Sequence, residues 1–121
     1  MGKRVLNIPQ HTVTAASISG AGGAYVNLGV TLQHPLRMLI IQNYTDGYIQ
    51  VSMDKGTSDA FVMGPDFAMI FDMTSNSQHR GQTEDGPMVA AGTQIQVKQL
   101  SGFGAVSTGS VFLSGFYEQG D

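Results

Sequence analysis

Apolar and polar residues alternate with period two in five consecutive segments of this chain, and no segment offers a helical stripe. Over residues 25–32, Val26, Leu28, Val30 and Leu32 alternate with Tyr25, Asn27, Gly29 and Thr31. Successive side chains of a strand point to opposite faces, so this spacing predicts a two-faced strand. Residues 4–8 read as a first strand ended by Pro9, which has no N–H to give to a ladder. Residues 12–18 are rich in β-branched side chains and read as a second. Residues 37–44 hold Met38 to Ile41, apolar on both faces, and predict a central strand covered on both sides. Asp46-Gly47 is a tight-turn signal. Residues 48–53 then alternate again, with Ile49, Val51 and Met53 on one face, so 37–53 is predicted as a hairpin. Residues 61–63, 67–74, 93–100 and 110–118 supply the remaining strands. Phe67, Met69, Phe71 and Met73 share one face, and Ile95 and Val97 point inward while Gln94, Gln96 and Lys98 point outward.

Eight or nine short antiparallel strands separated by turn signals predict an all-β fold. The expected form is a two-sheet β-sandwich (jelly-roll-like) or a small barrel, with residues 1–121 as a single domain. Period-two patterning assigns faces and not strand order, so a jelly roll and other two-sheet topologies stay open. The alternation stops over residues 75–87, a long polar loop. Loops of about 12 residues or more without structure of their own tend to be functional or disordered. Its residues Asn76, Gln78, His79, Arg80, Gln82, Glu84 and Asp85 are the protein-interaction candidates. Such a loop can clasp a neighbouring subunit or be a harmless excursion.

Composition sharpens the picture. The chain has 121 residues and 41% apolar residues, enough for a core without metals or disulfides. Only 12% of its residues are charged, about half the usual ~25%. Ser, Thr, Gln, Asn and Gly must therefore cover most of the surface, which suits protein packed against other protein. The net charge is −3 and Lys3 with Arg4 is the only basic pair. Nucleic-acid contact is not expected, since phosphates need a basic patch. With no cysteine there is no disulfide framework and no thiolate metal site, and the chain can fold in a reducing compartment. Lys3 and Arg4 lead into Val-Leu-Asn-Ile-Pro and not into the apolar run of a secretion signal. The longest apolar run, Phe67 to Phe71, is too short to span a membrane, so no membrane contact is expected.

Candidate chemistry is sparse. Gly20-Ala21-Gly22-Gly23 is followed by strand residues and not by the helix that a phosphate loop requires. Asp54, Thr57, Ser58 and Asp59 offer oxygens for a cation, but at a spacing that reads as a solvated turn. His11, His34 and His79 stand far apart in sequence, outside zinc-ligand spacing. His79 with Glu84 or Asp85 could form an acid–base pair, although a polar loop is a poor frame for chemistry. No serine has a nucleophile-elbow context. Asn43-Tyr44-Thr45 matches a glycosylation acceptor without the secretion signal that would give it meaning. No enzyme activity and no cofactor is expected. Tyr44, Asp46 and Tyr48 cluster near a turn, and aromatic rings beside a carboxylate are one way to hold sugar. A carbohydrate-binding β-sandwich is therefore the alternative reading.

The order of several short motifs carries a resemblance. Ile40-Ile41-Gln42-Asn43 is followed by Tyr48-Ile49-Gln50-Val51-Ser52-Met53-Asp54 and Phe61-Val62-Met63-Gly64-Pro65. Next come Phe71-Asp72-Met73-Thr74-Ser75-Asn76, Gly92-Thr93-Gln94-Ile95-Gln96-Val97-Lys98 and Gly109-Ser110-Val111-Phe112-Leu113. Over residues 37–117 this series resembles small virion structural proteins of tailed bacteriophages. The resemblance implies a structural role in a particle assembled in host cytoplasm, as a homo-oligomeric ring or array. It implies partners among the portal, tail or major capsid proteins. The two placements are the head–tail neck (connector) and the capsid surface as cement (decoration) protein. The family has no catalytic residues to carry over.

Overall fold

The computed structural model describes residues 4–72 and 89–119. Among them, nine strands and one short helix follow in the order β1 (Arg4–Asn7), β2 (His11–Thr14), α1 (Ala15–Gly20), β3 (Val26–Asn27), β4 (Met38–Asn43), β5 (Ile49–Ser52), β6 (Phe61–Met63), β7 (Phe67–Asp72), β8 (Gln96–Gln99) and β9 (Ser110–Gln119). They form two antiparallel sheets. The larger has the order β1-β9-β4-β7, with β2 also on β9, and the smaller has the order β3-β8-β5-β6. The chain is thus an all-β, two-sheet sandwich.

The pairings nest. β5 pairs with β6, β4 with β7, β3 with β8, and β1 and β2 with β9. The molecule is one long antiparallel ribbon whose tip lies between β5 and β6. The ribbon is folded so that successive pairs fall in alternate sheets. This is jelly-roll topology. β1 and β2 share the role of one outer strand, and Pro9 marks the break between them. Asn7 lies opposite Phe116, and the pairing resumes with His11 opposite Leu113.

The core fills the space between the sheets. Leu39, Ile41, Val111 and Leu113 from the larger sheet meet Ile49, Val51, Ile95 and Val97 from the smaller side, all fully buried. Each such side chain contributes about 1.5–3 kcal/mol relative to exposure. The inward phase expected for Ile95 and Val97 is the one observed. β4 is interior to its sheet, between β9 and β7, but the cover expected on both of its faces is found only over Leu39 and Ile41, while Met38 and Ile40 are half-buried.

Three expectations are corrected. Residues 12–18 are not one strand: β2 ends at Thr14 and α1 begins at Ala15. Thr14 is the N-cap, and its Oγ1 accepts the Ser17 N–H at 3.2 Å. The side-chain oxygen thus meets an N–H that has no partner within the helix. Ala15 and Ile18 then bury one face of the single turn and a half. Residues 25–32, the clearest alternation, form only the two-residue β3. Gly29 adopts φ +82°, which turns Val30 outward to 60% exposure while Leu28 and Leu32 stay buried. Leu28 N–H still reaches Ile95 O at 2.8 Å, and Leu32 N–H reaches Thr93 O at 2.9 Å. The segment therefore follows its neighbour without a regular ladder. Finally, residues 37–53 are not a hairpin. β4 lies in the larger sheet and β5 in the smaller, so Asp46-Gly47 turns a corner between sheets.

Candidate functional site

The two outer faces of the sandwich differ in chemistry. On the smaller sheet the outward side chains are mostly polar and hydrogen-bonded, with Val62 of β6 an exposed apolar exception. Gln96 Nε2 donates to Asn27 Oδ1 at 2.7 Å, and Gln50 Nε2 donates to Phe61 O at 2.8 Å. The Tyr25 hydroxyl donates to Asp59, and Lys98 Nζ sits 3.9 Å from Asp59 Oδ1 and 4.6 Å from the Tyr25 ring centroid. Burial, and then the Asp59 carboxylate, push the Tyr25 hydroxyl up from its ordinary value.

The larger sheet presents the opposite. Because Leu39, Ile41, Val111 and Leu113 point inward, Met38, Ile40, Phe112 and Phe116 point outward. The register aligns them: Met38 lies opposite Phe116, and Ile40 lies opposite Ile70. Val5 and Ile70 extend the face to both sides, at 64% and 59% exposure. Thr12, Gln42 and Ser114 interrupt it, and Asp72 lies at its margin. This corrects the expectation of an outer surface covered by Asn, Thr, Gln and Gly, which holds only for the smaller sheet. The signal was present in β9. Val111 and Leu113 occupy one phase while Phe112 and Phe116 occupy the other, so the strand is apolar on both sides.

The corner between β4 and β5 holds the three glycan candidates without joining them into one site. Asp46 is turned toward the segment before β9. Its carboxylate accepts the Ser107 N–H at 2.8 Å, the Ser107 hydroxyl at 2.6 Å and the Thr108 N–H at 3.2 Å. These bonds hold its carboxyl at about 2, below the ordinary 3.8. Tyr44 packs edge-on to Phe112, with ring centroids 5.7 Å apart, and receives a hydrogen bond from Gln42. Tyr48 instead leans on Phe103 at 5.0 Å. Tyr48 and Phe67 both border Gly64, so Phe103, Tyr48 and Phe67 form an exposed aromatic row at this end of the sandwich.

Asn43 ties the corner together. It is fully buried, and its Nδ2 donates to Gly47 O, Met63 O and Gly64 O at 3.0–3.2 Å. Its Oδ1 accepts the Thr45 N–H at 3.0 Å and the Thr45 hydroxyl at 2.6 Å. One amide thereby joins the β4–β5 corner to the β6–β7 turn. The sequence pattern placed Asn43 only in a chance glycosylation match.

The Asp54 carboxylate accepts from Ser58 and Ser52, which lowers its pKa and closes the 54–59 turn. Among the described residues no group of three or more His, Asp or Glu side chains is placed to hold a metal ion. His11 and His34, distant in sequence, come to one open cavity of about 230 Å³ lined also by Ile8, Pro9, Val30 and Tyr117. The His34 ring stacks on Tyr117 at 3.9 Å. No described helix is long and apolar enough to cross a membrane. The loop 75–87, with Asn76, Gln78, His79, Arg80, Gln82, Glu84 and Asp85, lies outside the described residues. Comparison of the chain with protein-family models, with curated proteins and with solved structures gives no match.

Proposed function

We propose that this chain is a structural protein of a tailed-bacteriophage virion, assembling as a symmetric ring or array at the head–tail neck or as capsid cement. The observation that carries this reading is the outer face of the larger sheet, where Met38, Ile40, Ile70, Phe112 and Phe116 lie together. A mostly apolar outer face on a rigid sandwich suits a surface that other protein covers. With only 12% charged residues, little opposes permanent packing. The motif order over residues 37–117 supplies the particle. Jelly rolls serve capsid proteins and lectins alike, so the fold by itself does not choose between them. The carbohydrate alternative gains no observation, because Asp46 already binds Ser107 and Thr108 and the two tyrosines pack on different rings.

Quantitative mass analysis of purified particles tests the reading. The chain is expected among the components, at about six or twelve copies for a neck ring and at hundreds for cement. Its absence from particles would refute the proposal.

A further inference from the structure

Strand β7 ends the larger sheet. It pairs with β4 along its whole length, from Asp72 opposite Met38 to Phe67 opposite Asn43. Among the described residues no strand lies on its other side. An edge strand presents a row of unpaired N–H and C=O groups, which proteins blunt with lysine, proline, a bulge or short length. β7 has no such device. It reads Phe-Ala-Met-Ile-Phe-Asp, with a single charge at its last position, and Phe67 and Ile70 are both exposed. The opposite edge is treated differently, since β1 and β2 are four residues each and are broken at Pro9. Among the described residues, one edge of the sheet is blunted and the other is open.

We infer that β7 is a strand-addition site for a second copy of this chain, β7 against β7, antiparallel about a two-fold axis normal to the sheet. An antiparallel edge is complementary to itself under that axis, whereas the broken β1–β2 edge offers no equal length to pair with. The register follows from side-chain faces and charge. The sheet faces match across the axis only when it passes through a residue, which makes Met69 and Ile70 the central choices. An axis through Met69 sets Asp66 directly opposite Asp72 of the second copy, a like-charge pair that destabilises. An axis through Ile70 avoids this. It sets Ile70 against Ile70, Ala68 against Asp72, and Met69 against Phe71. The larger sheet then runs through both copies, and their apolar outer faces join along the Ile40–Ile70 row. The pairing goes beyond the virion reading, because a chain absent from particles can still dimerise.

Sedimentation of the full chain from about 1 to 200 µM covers the affinities of small interfaces. A dimer is expected. Ile70→Lys, at an exposed position, sets lysine against lysine across the axis and is expected to weaken the dimer about tenfold or more, with a melting temperature close to the native one. Ala68→Lys sets lysine against Asp72 of the second copy, an opposite-charge pair, and is expected to leave the dimer intact. Val30→Lys, exposed elsewhere, is expected to leave it intact. The chain has no cysteine, so single cysteines report the register. Directly opposite residues of an antiparallel pair lie about 4.5–5.5 Å apart at Cα, within disulfide range. With diamide as oxidant, Ile70→Cys is expected to give a covalent dimer and Val30→Cys a monomer. A monomer at every concentration, dimerisation that survives Ile70→Lys, or equal cross-linking of the two cysteine variants would overturn the inference. A dimer of a chain missing from particles would overturn only the virion reading.

Discussion

Replacing Asn43 by alanine removes a buried amide that joins the two turns at the aromatic end. The variant leaves Met63 O and Gly64 O without the amide donor and the Thr45 N–H without its acceptor. The Thr45 hydroxyl, released from Asn43 Oδ1, can turn its proton to Gly47 O, 3.1 Å away. A buried polar group left unpaired costs about 1–3 kcal/mol, so two or three of them predict a loss of about 4 kcal/mol. A domain of this size has about 6–18 kcal/mol in total. At ~2.1 cal/mol/K per residue, the loss lowers Tm by about 15 °C. Urea unfolding followed by circular dichroism measures it, with an unchanged m-value as the check that the two end states are the same. Gln42→Ala is the control. Its neighbouring side chain bonds only the exposed Tyr44 hydroxyl and should cost less than about 0.5 kcal/mol. A loss below about 1 kcal/mol for Asn43→Ala would show that the two turns hold without the amide, and the reasoning would fail.

Gly109 has φ +89°, and a Cβ there would stand 2.0 Å from the Tyr44 carbonyl oxygen. Gly109→Ala should therefore cost more than about 3 kcal/mol. Gly104, at φ +83° with open space around it, should cost only the left-handed strain of about 1–2 kcal/mol on the same change; equal losses would dismiss the clash. Asp46 titrates at about 2 in the fold against 3.8 when free, so the fold favours its ionised form. Its contribution is present above about pH 4 and is lost as pH falls through 4 toward 2. Thermal melts across that window should fall less steeply for Asp46→Asn than for the native chain, and parallel curves would contradict the assignment.

What was legible in the sequence was the fold class and the faces. Alternation placed Ile49, Val51, Ile95 and Val97 inward, because a half-buried strand leaves a period-two record whatever its partners. Strand order left no such record. Asp46-Gly47 has the residues of a hairpin turn, yet Ser107 and Thr108, some sixty positions away, capture the Asp46 carboxylate and let the chain cross to the other sheet. Residues 25–32 failed for a local reason, since one glycine at positive φ ended the strand that Val26 and Asn27 began. The helix at Ala15 was hidden by its length. One and a half turns are too short for a 3.6-residue period to show, and Thr14 works as a cap only when Ser17 curls back to it. The apolar outer face was written in β9 but needed the register with β4 and β7 to become a surface.

The nested pairing also sets an order of events for the folding chain. Only β5 and β6 are close in sequence, and each outer pair encloses every inner one. Closing the β1–β9 pair first would tether nearly the whole chain in one loop. Closing from the inside adds less chain at each step, the longest stretch being residues 73–95 between β7 and β8. Loop-closure entropy therefore favours an order that starts at residues 53–60 and proceeds outward. β4–β7 and β3–β8 follow, in a time set by the long-range pairings of a jelly roll. On that order β1 and β9 are expected to be the last strands joined.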